Sequence, residues 1–345
     1  MRINSKFAVI NAKIDSLYSK LLMNTDYIKL AHCNDVHEII AYLKENTDIG
    51  SIFDSYDTVY DIELKMQRYK IEQIRKFGYY FSGNYKRFLN SLLSEFEISD
   101  IKKILRVLQR NNGLNNLRSS LIVLGDDSRF KIDTDSTIPT FVEKLKNTKY
   151  YKVLQAYEDE VSDVILFYME MNLDKFFYTE LINSTKDFDK TDLECSRKLY
   201  GRKVDLLNIT WIYRGLKYYK ILPEELINFC ILGGCDFSYE NLRDLCYCEN
   251  EEEFVNRILK TEYKFLFEGE NTELYMDRRI NRYLYYNAKK EFRRSNFDIG
   301  KFLAFMFLLE YEIKDIGAVI EATRFDISFE ETLKYLVRSY KGSEL

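Results

Sequence analysis

Two prolines and 13 glycines in 345 residues leave this chain few points at which a helix must stop. Histidine is scarcer still: His32 and His37 are the whole supply, which leaves little imidazole for general acid–base work. No apolar run approaches the roughly 20 residues that a membrane-spanning helix needs. The strongest, Phe302-Leu303-Ala304-Phe305-Met306-Phe307-Leu308-Leu309, has eight. Nor is there a surplus of one charge. The 55 acids and 51 bases give a net charge of −4, which offers no electrostatic reason for nucleic acid as the main partner. The opening Met1-Arg2-Ile3-Asn4-Ser5-Lys6 leads into an amphipathic run broken by Lys13, Asp15 and Lys20, unlike a secretory signal. A soluble protein, able to dock onto a membrane machine, is the expectation.

What is present is a globular composition, 46% hydrophobic and 31% charged, with 28 Tyr and 24 Phe against one Trp. Fragments that resemble catalytic motifs fail at the residue that matters. His37-Glu38-Ile39-Ile40-Ala41 begins like a zinc-protease helix but has Ala where the second imidazole belongs. Gly78-Tyr79-Tyr80-Phe81-Ser82-Gly83 has the glycine spacing of a phosphate loop, yet Asn84-Tyr85 follows instead of Lys-Ser/Thr. Cys230, Cys235, Cys246 and Cys248 are spaced C-x4-C…C-x-C, without paired C-x2-C knuckles or a nearby His. They read as reduced, partly buried thiols. Asp174, Asp205, Asp277 and Asp298 recur at similar places along the chain and read as helix caps and inter-helix partners. No nucleophile with a base and an orienting acid can be assembled. The expectation is a non-catalytic protein with no cofactor and no metal.

Repetition is the strongest positive signal. Ile39-Ile40-Ala41-Tyr42-Leu43-Lys44-Glu45-Asn46-Thr47 returns as Phe141-Val142-Glu143-Lys144-Leu145-Lys146-Asn147-Thr148-Lys149-Tyr150, then as Phe254-Val255-Asn256-Arg257-Ile258-Leu259-Lys260-Thr261-Glu262-Tyr263. A period of about a hundred residues points to similar units stacked into a scaffold. A second phrase sets an acid nine residues before an Arg, as Glu97 with Arg106 and Asp205 with Arg214; the third copy begins at Asp298 but has Phe307.

Apolar residues three or four apart predict helices over about 7–22, 36–46, 56–80 and 85–110, the last broken near Ser94–Ser99. Pro139 and Pro223 stand where helices begin, the latter followed by Glu224 and Glu225. Polar connectors lie at 111–136 and 184–192, and nothing alternates at period two. The chain reads as all-α, in helical units at 1–117, 118–220 and 221–345.

Several phrases together carry a resemblance. Phe7-Ala8-Val9-Ile10-Asn11-Ala12-Lys13-Ile14, Leu173-Asp174-Lys175-Phe176-Phe177, Val204-Asp205-Leu206-Leu207-Asn208-Ile209 with Arg214, Leu232-Gly233-Gly234 and Glu310-Tyr311-Glu312-Ile313-Lys314 occur in one order. In these the chain resembles the central-stalk cap subunits of V-type and A-type rotary ATPases, which are the C subunits of prokaryotes and the d subunits of eukaryotes. Leu309 stands where that family commonly has Lys, and Gly317 where a basic residue is frequent.

The resemblance implies a funnel-like helical body with pseudo-threefold symmetry that binds neither nucleotide nor ion. It would sit on the cytoplasmic face of the membrane rotor ring and receive the end of the central shaft, which comprises the D and F subunits. Arg106, Asn208, Arg214, Glu310 and Glu312 are the candidate interaction or anchor residues. Arg106 and Arg214 are read as internal anchors pairing with helix-cap acids, with a partner-facing role as the alternative. Arg214→Ala is then expected to lower thermal stability more than shaft affinity. Glu310 and Glu312 fall on different faces of one helix, and Asn208 reads as a structural hydrogen-bonding residue. The competing readings are a free-standing helical-repeat adaptor and a metal-dependent enzyme built on Cys230–Cys248.

Overall fold

A computed structural model describes residues 3–110, 117–125, 127, 130, 132–133, 135–157, 163–269, 271–295 and 297–338. The described residues are helical, with no strand among them. The first half contains α1 (Ile3–Tyr18), α2 (Asn24–Leu30), α3 (Val36–Asn46), α4 (Val59–Phe77), α5 (Gly83–Arg110), α6 (Ile138–Lys144), α7 (Tyr151–Leu154) and α8 (Asp163–Ser184). The second half contains α9 (Lys190–Ser196), α10 (Arg202–Arg214), α11 (Pro223–Phe229), α12 (Tyr239–Cys246), α13 (Glu251–Ile258), α14 (Thr272–Arg294), α15 (Gly300–Arg324) and α16 (Phe329–Tyr335). One π-turn, 197–201, joins α9 to α10, and another, 215–219, extends α10.

Local chemistry sets most of these boundaries. Asp35, Asp189 and Asn250 each accept the N–H three residues on, at 2.9, 3.0 and 2.9 Å. Thr58 and Asp61 bond reciprocally at the start of α4. Pro139 and Pro223 occupy first turns, where a missing N–H costs nothing. Two expectations shift. The first helix ends at Tyr18 rather than near residue 22, because the Leu22 N–H turns away to Glu312 Oε2 at 2.7 Å. The break expected near Ser94–Ser99 is absent. The Ser94 hydroxyl bonds back to the Ser91 carbonyl at 2.7 Å, and the buried stripe Leu92, Phe96, Ile101, Leu105 continues through it. The connector expected at 111–136 begins at residues 111–116, which lie outside the described residues.

The apolar run from Phe302 to Leu309 is buried throughout, which explains why it is hydrophobic all round. It forms part of α15, which packs against α14, α4, α1, α3, α9 and α16. No helix of the described residues is long and apolar enough to cross a membrane. The other major pair is α5 against α8. Arg87 meets Asp187, Lys102 meets Asp174 and Arg106 meets Glu170, so the two helices run antiparallel.

The recurring phrase has a physical basis. Thr47, Thr148 and Thr261 each follow a short helix and donate a hydroxyl hydrogen bond to its last turn, at the carbonyls of Leu43, Leu145 and Ile258 (2.7, 2.9 and 2.8 Å). Each threonine oxygen then accepts an N–H from just beyond, Gly50, Tyr150 or Tyr263, at 3.0, 3.2 and 3.1 Å. One side chain thus ends the helix and begins the next turn at every copy. The apolar positions before it, Leu43, Phe141, Leu145, Phe254 and Ile258, are fully buried.

Candidate functional site

Three buried carboxylates on long helices clamp loops that follow them in sequence. Asp100 on α5 accepts the N–H groups of Ile122, Val123 and Leu124 at 2.7, 2.8 and 2.9 Å. Asp205 on α10 accepts those of Cys235 and Asp236 at 2.8 and 2.7 Å and the Tyr263 hydroxyl at 2.9 Å. Asp315 on α15 accepts the Val337 N–H at 2.7 Å. The Asp205 clamp fixes the Leu232-Gly233-Gly234 turn. Gly233 has φ +97°, and a Cβ on Gly234 would lie 1.9 Å from Asp205 Oδ1.

These clamps correct the alignment of the second phrase. Its third copy is Asp315-Ile316, with Arg324 nine residues on, and its first is Asp100-Ile101, with Gln109 in that place. Asp298 has another task, accepting the Gly300 N–H at 2.9 Å where α15 begins. By this register Arg214 corresponds to Arg324 and Gln109, and Arg106 has a different place. The repeated Asp-Ile/Leu pair was the available signal, but Asp298-Ile299 carries it too.

Between the long helices lies a charged cluster. Glu310 on α15 is 3.2 Å from Lys70 on α4, 3.8 Å from Lys203 on α10 and 3.1 Å from Lys314. Glu95 on α5 stands 3.6 Å from both Lys70 and Lys203. Burial alone would push the Glu310 carboxyl up, but Lys203, Lys70 and Lys314 together hold it well below the ordinary range. Burial likewise works against the Lys70 ammonium, yet Glu310 and Glu95 leave it above its usual value. Glu310, Lys70 and Lys203 are therefore ionised at neutral pH, and four helices are tied through one set of charges. Beside the cluster, Glu95, Lys102, Arg106, Asp174, Phe177 and Tyr178 help to line a cleft of about 300 Å³. A larger cleft of about 940 Å³ opens between α4, α5 and α15, where Gly317 faces open space.

The candidate residues fall in different settings. Glu310 belongs to the cluster just described. Glu312, on another face of α15, is buried, holding the Leu22 N–H at 2.7 Å and Arg338 at 3.8 Å. Arg106 reaches across to Glu170 at 2.7 Å, in mid-α8 rather than at a helix cap. Arg214 stands 3.7 Å from Asp277, with both side chains largely exposed, a pair of the kind that contributes about 0–1 kcal/mol. Asn208 is fully buried, donating to the Ile231 carbonyl at 2.8 Å and accepting the Ile231 N–H at 2.9 Å. Asn208→Ala strands both backbone groups, and a loss of about 2–4 kcal/mol is expected in urea unfolding. A loss under about 0.5 kcal/mol would show that water replaces the amide freely.

Three carboxyls give a pH dependence. Burial pushes Glu312 up to about 7, Arg338 and the Leu22 N–H opposing it. Burial pushes Asp315 to about 6 against Arg338, and Asp205 to about 6 against the N–H of Asp236. With unfolded values near 4, the folded chain binds more protons between about pH 4 and 7, so its stability falls as pH rises through that window. Depressed Glu310 acts oppositely, its contribution being lost only in acid. Urea midpoints should therefore be higher near pH 5.5 than near pH 8, and Glu312→Gln should flatten the difference (about 1–3 kcal/mol). An unchanged slope in the variant would contradict this assignment.

Cys230 and Cys246 are buried with their Sγ atoms 3.8 Å apart, and Cys248 is also buried. Burial pushes the Cys248 thiol up, toward an inert rather than a ligating or reactive state.

Comparison with known proteins adds a family. Residues 10–335 match the family model described as ATP synthase (C/AC39) subunit. The chain is 26% identical over 266 residues to the C subunit of the A-type ATP synthase of Methanosarcina mazei, covering 75% of this chain and 71% of that one. It is 24% identical over 348 residues to the C subunit of the A-type ATP synthase of Methanocaldococcus jannaschii, covering 96% and 86%. The protein of the same name from Methanosphaera stadtmanae is 22% identical over 325 residues, covering 91% and 83%.

Proposed function

The chain belongs to the ATP synthase (C/AC39) subunit family, whose members are non-catalytic, and from that membership we propose that it is the cap of the central stalk. In this reading it joins the shaft, made of the D and F subunits, to the cytoplasmic face of the membrane rotor ring, so that rotation and proton or sodium movement are coupled. It performs no bond chemistry. Three helical units, near 1–117, 118–220 and 221–345, would surround the axis as a funnel.

The observation that supports this best is the charged cluster of Lys70, Glu95, Lys203, Glu310 and Lys314. A part that passes torque must resist shear between its helices. Ion pairs that join α4, α5, α10 and α15 would resist sliding, because displacement uncovers buried charge. The two clefts beside the cluster offer charged walls to the end of a shaft.

Gel filtration of the chain mixed with a D–F shaft complex tests the proposal. Co-elution at micromolar concentration is expected. Failure to bind at that concentration would favour the free-standing adaptor.

A further inference from the structure

The C-terminal half of α14 carries a row of bases that the fold leaves largely unneutralised. Tyr286, Lys289, Lys290, Arg293 and Arg294 recur at helical spacing on one face and line a depression of about 470 Å³. The row runs about 12 Å along the helix axis. Arg294 is engaged, donating to Glu291 Oε2 at 3.0 Å and to Cys195 Sγ at 3.3 Å. Lys289, Lys290 and Arg293 are not: none forms an ion pair with an acid among the described residues. Elsewhere exposed bases such as Lys198, Arg257 and Lys264 pair with an acid four residues away. Burial, then the neighbouring Arg338 and Arg293 cations, hold the Lys289 ammonium below its usual value, as expected where no anion is near. Exposed aromatic side chains lie in the row and a few residues past it in sequence. Tyr286 is 46% exposed, and Phe297, just past the helix end, is 58% exposed.

We propose that this face binds the phosphates of anionic lipid headgroups, so that the chain touches the membrane surface directly as well as through protein partners. The proposal rests on its reading as part of a membrane-bound ATPase. Bases on long side chains without fixed acceptors suit a diffuse field of headgroup charge better than a single acidic polypeptide, which would be matched by ordered, bidentate contacts. The depression has room for phosphate-sized groups. Exposed Tyr and Phe beside bases are the combination that settles at the boundary between headgroups and acyl chains.

Sedimentation of the full chain with vesicles provides the test. Binding is expected to phosphatidylcholine vesicles containing phosphatidylglycerol, to fall steeply with salt, and to be absent on phosphatidylcholine alone. The variant Lys289→Gln/Lys290→Gln/Arg293→Gln should bind the anionic vesicles about a hundred-fold more weakly, and Arg293→Gln alone about five-fold. Wild-type binding that ignores phosphatidylglycerol, or a triple variant that binds like wild type, overturns the proposal.

A parallel measurement in detergent without anionic lipid separates it from the function reading. There wild type and triple variant should co-elute equally with the shaft and ring proteins. Selective loss in the variant would assign the face to an acidic protein and overturn the lipid proposal. A wild type that fails to co-elute would overturn the stalk reading instead, leaving the vesicle result standing.

Discussion

Arg338→Met is expected to lower the free energy of unfolding by about 3–5 kcal/mol at pH 8, a large fraction of what a protein this size holds in reserve. Arg338 is buried just past α16, with its guanidinium 3.8 Å from Glu312 and 3.3 Å from Asp315. It also donates to the Leu22 carbonyl at 2.5 Å and lies over the Tyr27 ring, 4.2 Å from its centroid. One side chain thus neutralises two buried acids and joins the turn after α1 to the segment after α16. Methionine matches its length and apolar stem, so packing is largely kept while the charge is lost. Two buried carboxylates would then face each other with only Arg282 left to offset Asp315. Protonation relieves that, so the loss should shrink toward pH 5.5, where Glu312 and Asp315 are increasingly neutral. Urea unfolding at the two pH values checks both parts. An equal loss at both would assign the effect to packing, and a loss under about 1 kcal/mol would show the latch to be marginal.

Glu310→Gln should have a comparable effect, about 3–5 kcal/mol, because it leaves Lys70 and Lys203 facing each other with only half-buried Glu95 between them. The signature that distinguishes charge from shape is non-additivity. Lys203→Met together with Glu310→Gln should cost less than the sum of the single changes, since each removes the other's reason for being ionised there. Strict additivity would mean that the two groups do not interact and that the cluster does not tie α10 to α15.

Much of the fold was legible because local chemistry decides it. Thr47, Thr148 and Thr261 repeat because each performs the same two hydrogen bonds. Pro139 and Pro223 mark first turns because nowhere else in a helix tolerates them. Where expectation and structure differ, a contact that periodicity does not report is responsible. The end of α1 is set by Glu312, which lies far away in sequence, and the continuity of α5 depends on a serine satisfied within its own turn. Likewise Asp298-Ile299 and Asp315-Ile316 look alike as sequence, and only the loop that folds back onto Asp315 separates them.

The candidate site was legible in part. Glu310, Glu312 and Asn208 stand out by motif alone, and all three prove to be partnered, Glu312 and Asn208 buried and Glu310 half-buried. Their partners were not visible. Lys70 and Lys203 are ordinary lysines in amphipathic helices, and periodicity says which face turns inward without saying what waits there. Arg338, which holds Glu312 together with Asp315, carries no sequence signal at all.

In the proposed role this chain couples rotation to ion movement without taking part in bond chemistry. The most direct test of that role is a vesicle-reconstituted A-type ATPase assembled with and without the chain. Without it, ATP hydrolysis by the soluble head should continue while ATP-driven ion uptake is lost, and adding the chain back should restore uptake. Ion uptake that persists in its absence, or hydrolysis that stops with it, would contradict the account.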